Sequence, residues 1–232
     1  PEWKLSFRNI GWSGDDVHGI GRKRFDGPED GFQRILRDVE TANPTVVLVT
    51  YGFSEASDGK PAVDRFEPGL KRLLEELEKQ KRRVILLTPV AMPGFRVPGY
   101  DQWISECGSI IDRIGNERKI PVVSAGWVPT KRELTHDRLL PNTNGYAKYA
   151  AAIADTLVGG KGCETPDSHD YTTLKQLISR KDQLFFYRYR PQNETYLFLF
   201  RKHEQGNNAV EIPQFDPLIQ TADEAIWQAA GS

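Results

Sequence analysis

A chain of 232 residues is long enough to bury a sizeable core and fits one domain with an appendage. Its 31 Lys and Arg nearly balance 32 Asp and Glu, leaving a net charge of -1; no long-range field draws phosphate backbones or anionic lipid, and nucleic acid is not an expected partner. No apolar run approaches the roughly 20 residues of a membrane span, no signal peptide is visible, and Cys107 and Cys163 stand at no metal-ligand spacing, so neither zinc nor a disulfide framework is expected. The chain begins at Pro1 rather than at a methionine. The expectation is that a segment preceded it, together with any export signal.

In chain order, Leu5 to Asn9 reads as a short strand that ends in the turn Gly11-Trp12-Ser13-Gly14-Asp15. The spacing of Phe32, Ile35, Leu36 and Val39 predicts a helix over Glu29 to Thr41. Thr45 to Tyr51 is a β-branched run of the kind covered on both faces. A helix is predicted over Ala62 to Gln80, with Phe66, Leu70, Leu73, Leu74 and Leu77 aligned, or starting only at Pro68. Arg83 to Thr88 is another buried strand. Tyr100 to Arg118 is a helix with Trp103, Cys107, Ile110, Ile111 and Ile114 inward, Cys107 serving as a small buried apolar residue. Ile120 to Ser124 is a fourth strand and Asn144 to Val158 a closing helix.

Strands alternating with amphipathic helices over residues 1–158 imply an α/β domain, a parallel sheet with helices on both faces, whose ligands bind at the carboxyl ends of the strands. From the breaker Gly159-Gly160-Lys161-Gly162 the character changes. Residues 159–232 read as an extension: a helix over Tyr171 to Ser179, the aromatic run Leu184 to Tyr189, a second apolar run Tyr196 to Phe200 and the polar stretch Arg201 to Asn208. Its density of aromatics and arginines predicts packing onto the main domain.

Three blocks carry a family resemblance. Asn9-Ile10-Gly11-Trp12-Ser13-Gly14-Asp15 resembles the second sequence block of the SGNH, or GDSL-type, esterases. Val47-Leu48-Val49-Thr50-Tyr51-Gly52-Phe53-Ser54-Glu55-Ala56 resembles the third, and Thr135 to Tyr146 the fifth. The order, intervals and strand context of the blocks agree across about the first 158 residues, and the tail resembles an extension of a bacterial subset of these enzymes. The resemblance implies a flavodoxin-like, three-layer α/β/α fold in strand order 2-1-3-4-5 and ester hydrolysis through a serine nucleophile. The implied substrates are acyl esters, chiefly O-acetyl esters of carbohydrates or other small molecules, and no metal or organic cofactor is needed.

Position by position, the implied chemistry is incomplete. The family's GDS block, which holds the nucleophile, is absent from the chain. Gly14 matches the oxyanion glycine, but Ser54 stands in place of the oxyanion asparagine, and losing one such donor typically costs about 2.7–4 kcal/mol in the transition state. Asp137 matches the family aspartate; three residues on, Leu140 replaces the histidine base and cannot accept a proton. His136 beside Asp137, or His203 in the tail, is the available substitute base. The missing first strand belongs between Leu5–Asn9 and Thr45–Tyr51, so an upstream strand, or less favourably Tyr196 to Phe200, is expected to fill that slot.

Bland readings stand beside these. Asp137 also suits a helix-capping loop residue, Gly11 and Gly14 suit turns that need positive φ, and Ser54-Glu55 alone is an ordinary strand-end turn. His18 and His169 read as solvated. Arg188, Arg190 and Arg201 beside Tyr187, Tyr189 and Tyr196 suit cation–π packing better than ligand binding. The leading expectation is a catalytically impaired SGNH-type scaffold. The alternatives are an active esterase, with its nucleophile upstream of Pro1 and His136 or His203 as base, and a non-catalytic carbohydrate- or protein-binding module.

Overall fold

A computed structural model of the chain describes residues 4–92, 95–124, 132–136, 140–158 and 171–231. The chain divides into two compact units, Gly11–Thr165 in one and Pro1–Ile10 with Pro166–Ser232 in the other. The first ten residues thus group with the C-terminal part.

In the larger unit, helix α1 (Pro28–Ala42) opens with a proline whose fixed φ suits a first helical turn and with Glu29 and Asp30 at its positive end. Its buried stripe is Phe32, Ile35, Leu36 and Val39, and Asn43 ends it in the left-handed conformation. Strand β1 (Val46–Val49) leads through Gly52 into the short helix α2 (Phe53–Asp58) and then α3 (Lys60–Lys79). Pro68 lies inside α3 rather than at its start. Burial of Ala62, Val63 and Phe66 ahead of it outweighs the hydrogen bond that the ring removes. Strand β2 (Arg83–Leu87), α4 (Tyr100–Arg118), β3 (Val122–Val123) and α5 (Thr143–Val158) follow. The helix α4 has the bounds that its sequence pattern predicts.

The sheet is parallel, in the order β1-β2-β3, with Leu48 in register with Ile85 and Leu86 with Val122. Ile85, Leu87 and Val123 pack against Tyr149, Ala152 and Ile153 of α5. By alternation Leu86 points the other way, fully buried, and α3 and α4 also lie against β2. This is the α/β fold with a parallel sheet and helical layers that the sequence pattern predicts.

Two strand expectations are corrected. Leu5 to Asn9 forms no strand: its Leu5 and Phe7 carbonyls accept from Trp227 and Lys181 of the C-terminal helices. And β1 is covered on one face only. Val46 is 37% and Leu48 42% exposed, because α5 covers the Ile85 and Val123 side of the sheet over β2 and β3 and stops short of β1. Among the described residues β1 pairs with β2 alone. The tail segment proposed to fill the open slot does not do so; Glu194–Phe198 is helical.

The smaller unit is built on α6 (Thr172–Tyr189) and α9 (Phe215–Gly231), which lie against each other around Leu184 and Ile219. Between them run α7 (Glu194–Phe198), α8 (Lys202–Gln205) and a 3-10 segment, Gly206–Gln214. The helix predicted to end at Ser179 continues through the aromatic run to Tyr189.

Leu86→Ala, which opens a cavity at the buried centre of the sheet, is expected to cost about 2–5 kcal/mol. Leu48→Ala at the open edge is expected to cost less, about 1 kcal/mol, since that side chain is already 42% exposed to water. Urea unfolding of the two variants measures the difference, and equal losses would mean that the β1 face is covered.

Candidate functional site

The loop after Ile10 is irregular, so its buried backbone N–H groups need partners outside a ladder, and carboxylates supply them. Asp15 and Asp16 are both nearly buried. Asp15 accepts from the Gly21 N–H at 3.0 Å and from Arg22 Nε at 2.6 Å, and Arg22 reaches on to Asp38 of α1 at 2.9 Å. Asp16 Oδ1 accepts from the N–H groups of His18 and Ile20, each at 3.0 Å. Burial pushes the Asp15 carboxyl above its ordinary range, against the pull of the Arg22 guanidinium. Arg34 lies over the Trp12 ring at 4.5 Å.

Two glycine contacts seat the loop. A Cβ on Gly19 would meet the Gly31 carbonyl carbon at 2.3 Å, and one on Gly69 of α3 would meet Val17 at 2.5 Å, so the loop lies backbone-close on α1 and α3. Gly14 differs: its φ is +70° and a Cβ there would meet nothing within 4 Å. It is the exposed tip of an otherwise fixed loop.

Glu55 joins this loop to the turn after β1. Its side chain is 1% exposed. One oxygen accepts from the Val17 N–H at 2.9 Å and the other from the Gly52 N–H at 2.8 Å. Val17 stands three residues after Gly14 and Gly52 two before Ser54, so a single carboxylate fixes the two segments that carry the expected oxyanion donors. Burial raises the Glu55 pKa, and the hydrogen bonds from Val17, its own backbone and Gly52 partly offset that. Gly52 has a φ of +113°, and a Cβ there would press on Cys107 at 3.0 Å and Pro89 at 3.1 Å. Ser54 is half-buried in the first turn of α2.

The Thr135 to Tyr146 block is pinched where residues 134–136 meet 140–142. Thr135 and Pro141 make an antiparallel bridge, the His136 N–H donates to the Leu140 carbonyl at 3.0 Å, and the Asn142 N–H donates to Leu134 at 2.9 Å. Asn142 caps α5, its Oδ1 accepting from the N–H groups of Asn144 at 3.0 Å and Gly145 at 3.1 Å. Tyr149 of α5 is hydrogen-bonded to Thr50 at the carboxyl end of β1, which ties the helix after this loop to the strand end from which Ser54 follows. Leu140 is 58% exposed, and His136 is exposed too. Asp137 lies outside the described residues, as do Cys163 and His169.

Of the expected site residues, Gly14 and Ser54 are thus brought into linked segments through Glu55, while Leu140 and His136 share the pinched loop. His203 is on α8 in the smaller unit, its side chain 73% exposed and 3.7 Å from the Glu204 carboxylate. His18 is not solvated: it is half-buried, with Nε2 3.1 Å from the Arg65 carbonyl. Cys107 is fully buried and its thiol is pushed up to about 12 by burial and then by Glu55, which removes it as a nucleophile. Among the described residues no group of three His, Cys, Asp or Glu is placed to hold a metal ion, and no helix is long and apolar enough to cross a membrane. Sequence reasoning missed the role of Glu55, although an acid three residues after the residue preceding a helix is the spacing of a capping pair.

Among solved structures the chain is similar to a GDSL-like lipase from Bacteroides thetaiotaomicron, at 20% identity and a TM-score of 0.51 over 63% of this chain and 73% of that one. It is also similar to a lipase/acylhydrolase from Enterococcus faecalis, at 25% identity and a TM-score of 0.49 over 63% and 72% of the two chains. A catalytic mutant of an acetylxylan esterase from Geobacillus stearothermophilus matches at 20% and 0.48, over 62% and 68%. The Bacteroides likeness establishes the α/β fold. No protein-family model matches the chain, and no curated protein does.

Replacing Glu55 with alanine strands two buried N–H donors, each worth about 1–3 kcal/mol, and is expected to cost about 2–5 kcal/mol in urea unfolding. Glu55→Gln isolates the charge. A carboxyl whose native pKa is raised adds stability fully present below its ordinary value of 4.5 and lost as pH rises through the native value. The stability of the native protein relative to Glu55→Gln should therefore rise as pH is lowered from 7 towards 4.5, and a flat or falling difference would contradict the burial argument.

Proposed function

We propose that this chain is an SGNH-type acyl ester hydrolase scaffold, related to esterases of small or carbohydrate O-acetyl esters, in which catalysis is impaired or lost. The observation that carries the reading is the contrast between two loops. The segments bearing Gly14 and Ser54 are tied together by a buried carboxylate, as a charge-stabilising site requires, whereas the position that aligns with the base is an exposed leucine. Preorganisation survives where the proton acceptor does not. A serine hydroxyl in place of the amide at 54 donates from a shorter, freely rotating side chain, which weakens the site without closing it.

Expression with the coding sequence that precedes Pro1 in its gene, followed by a p-nitrophenyl acetate assay, tests this. We expect turnover at background for the unmodified protein and a gain on combining Leu140→His with Ser54→Asn, the restored amide alone supplying on the order of 10²–10³ in kcat. Hydrolysis by the unmodified protein that disappears in His136→Ala or His203→Ala would replace this reading with that of an active enzyme using a relocated base.

The open side of β1 supports a second element of the proposal: a strand from before Pro1 completes the sheet there. In the longer protein, amide exchange across Val46–Val49 should be slower than in the chain alone. Unchanged exchange would mean that the edge stays free.

A further inference from the structure

The smaller unit holds residues 4–10 in an unusual way. The segment is extended, belongs to no strand, and keeps Leu5 58% and Phe7 67% exposed, so apolar burial does little to seat it. What holds it is a set of polar side chains along α6 and α9. Trp227 Nε1 donates to the Leu5 carbonyl at 2.8 Å, Lys181 Nζ to the Phe7 carbonyl at 2.9 Å, and the Tyr189 hydroxyl to the Ile10 carbonyl at 2.9 Å. These contacts read backbone, not side chains.

Two side chains are engaged as well: Lys4 Nζ lies over the Trp227 ring at 5.4 Å, and a closer contact is made by Arg8. Both of its terminal nitrogens bond the Asp223 carboxylate, and its guanidinium lies over Phe185 at 5.5 Å. Asp223 is 4% and Lys181 3% exposed. A carboxylate this deep pays heavily for desolvation unless it is paired, and the partner of Asp223 comes from the segment, the Arg8 guanidinium; Lys181 Nζ is shared between the Phe7 carbonyl and the carboxylate of its neighbour Asp182. Planar, two-point capture of a guanidinium beside an aromatic ring favours arginine over lysine.

We propose that the α6–α9 face is a binding surface for an extended, arginine-bearing peptide, and that residues 4–10 are its resident occupant, exchangeable for the same segment supplied in trans. Donors spaced along the helices take main-chain carbonyls whatever the sequence, and the Asp223–Phe185 pocket selects the arginine. The outward Leu5 and Phe7 side chains are not read. Exchange is opposed only by the covalent tether, which keeps the resident segment at an effective concentration on the order of millimolar.

The test uses a fluorescein-labelled peptide of residues 4–10 and the full chain, read by fluorescence anisotropy. The peptide should bind the Arg8→Ala chain at least about tenfold more tightly than the unmodified chain, because the resident has lost its anchor while the surface is intact. A peptide carrying the same Arg8→Ala change should bind the Arg8→Ala chain at least about tenfold more weakly than the native peptide, a comparison that leaves the protein untouched and so does not depend on how a variant folds. Adding Asp223→Asn to the Arg8→Ala chain should also weaken the native peptide. Absence of binding to the Arg8→Ala chain, equal affinity for both chains, or indifference to the arginine in the peptide would each overturn the proposal.

Discussion

A single buried carboxylate organises the larger unit at the ends of its strands. Glu55 receives one N–H from the loop after Ile10 and one from the turn after β1. Each donor alone would be a buried orphan and the carboxylate alone a costly charge; together they satisfy both donors and offset part of the cost of burying the charge. The same device recurs nearby. Asp15 and Asp16 take up the N–H groups of Gly21, His18 and Ile20, and Arg22 links Asp15 to Asp38 of α1. A loop without regular structure is thereby made as definite as a strand.

The extent to which the sequence reveals the fold follows the source of each element's stability. The helices α1, α3 and α4 carry their own signal, since a stripe such as Phe32, Ile35, Leu36 and Val39 has only one way to face a core. Pro68 misleads about where α3 begins because propensity is local and the burial of Val63 and Phe66 is not. Strands depend on neighbours. Leu5 to Asn9 has strand composition, yet the carbonyls of Leu5 and Phe7 find Trp227 and Lys181, and that of the following Ile10 finds Tyr189. The aromatic run at Leu184 to Tyr189 gives little periodic signal, and only the packing of α6 on α9 makes it helical.

At the site, legibility divides along another line. Gly14 is recognisable because a positive φ at an exposed tip demands glycine, and Asn142 because a helix start rewards a short polar side chain. Glu55 reads as an unremarkable turn residue, since its importance lies in Val17, 38 positions earlier in the chain. No spacing rule reaches that far. His18 was hidden for the same reason: its partner is the Arg65 carbonyl on α3.

The buried groups that fix these loops are separate from the exposed side chain at 140. Glu55, Asp15 and Arg22 are buried and make several hydrogen bonds each, so changing any of them endangers the fold. Leu140 stands exposed on a loop whose base is closed by backbone bonds, those of His136 to Leu140 and Asn142 to Leu134, together with the Asn142 cap. Backbone bonds are indifferent to the side chain at 140. The side chain at 140 therefore adds no support to that closure, and Ser54, half-buried in the first turn of α2, stands outside the two hydrogen bonds that Glu55 accepts. Position 140 can thus change at little cost to stability, since exposed substitutions away from such buried networks usually stay within about 0.5 kcal/mol.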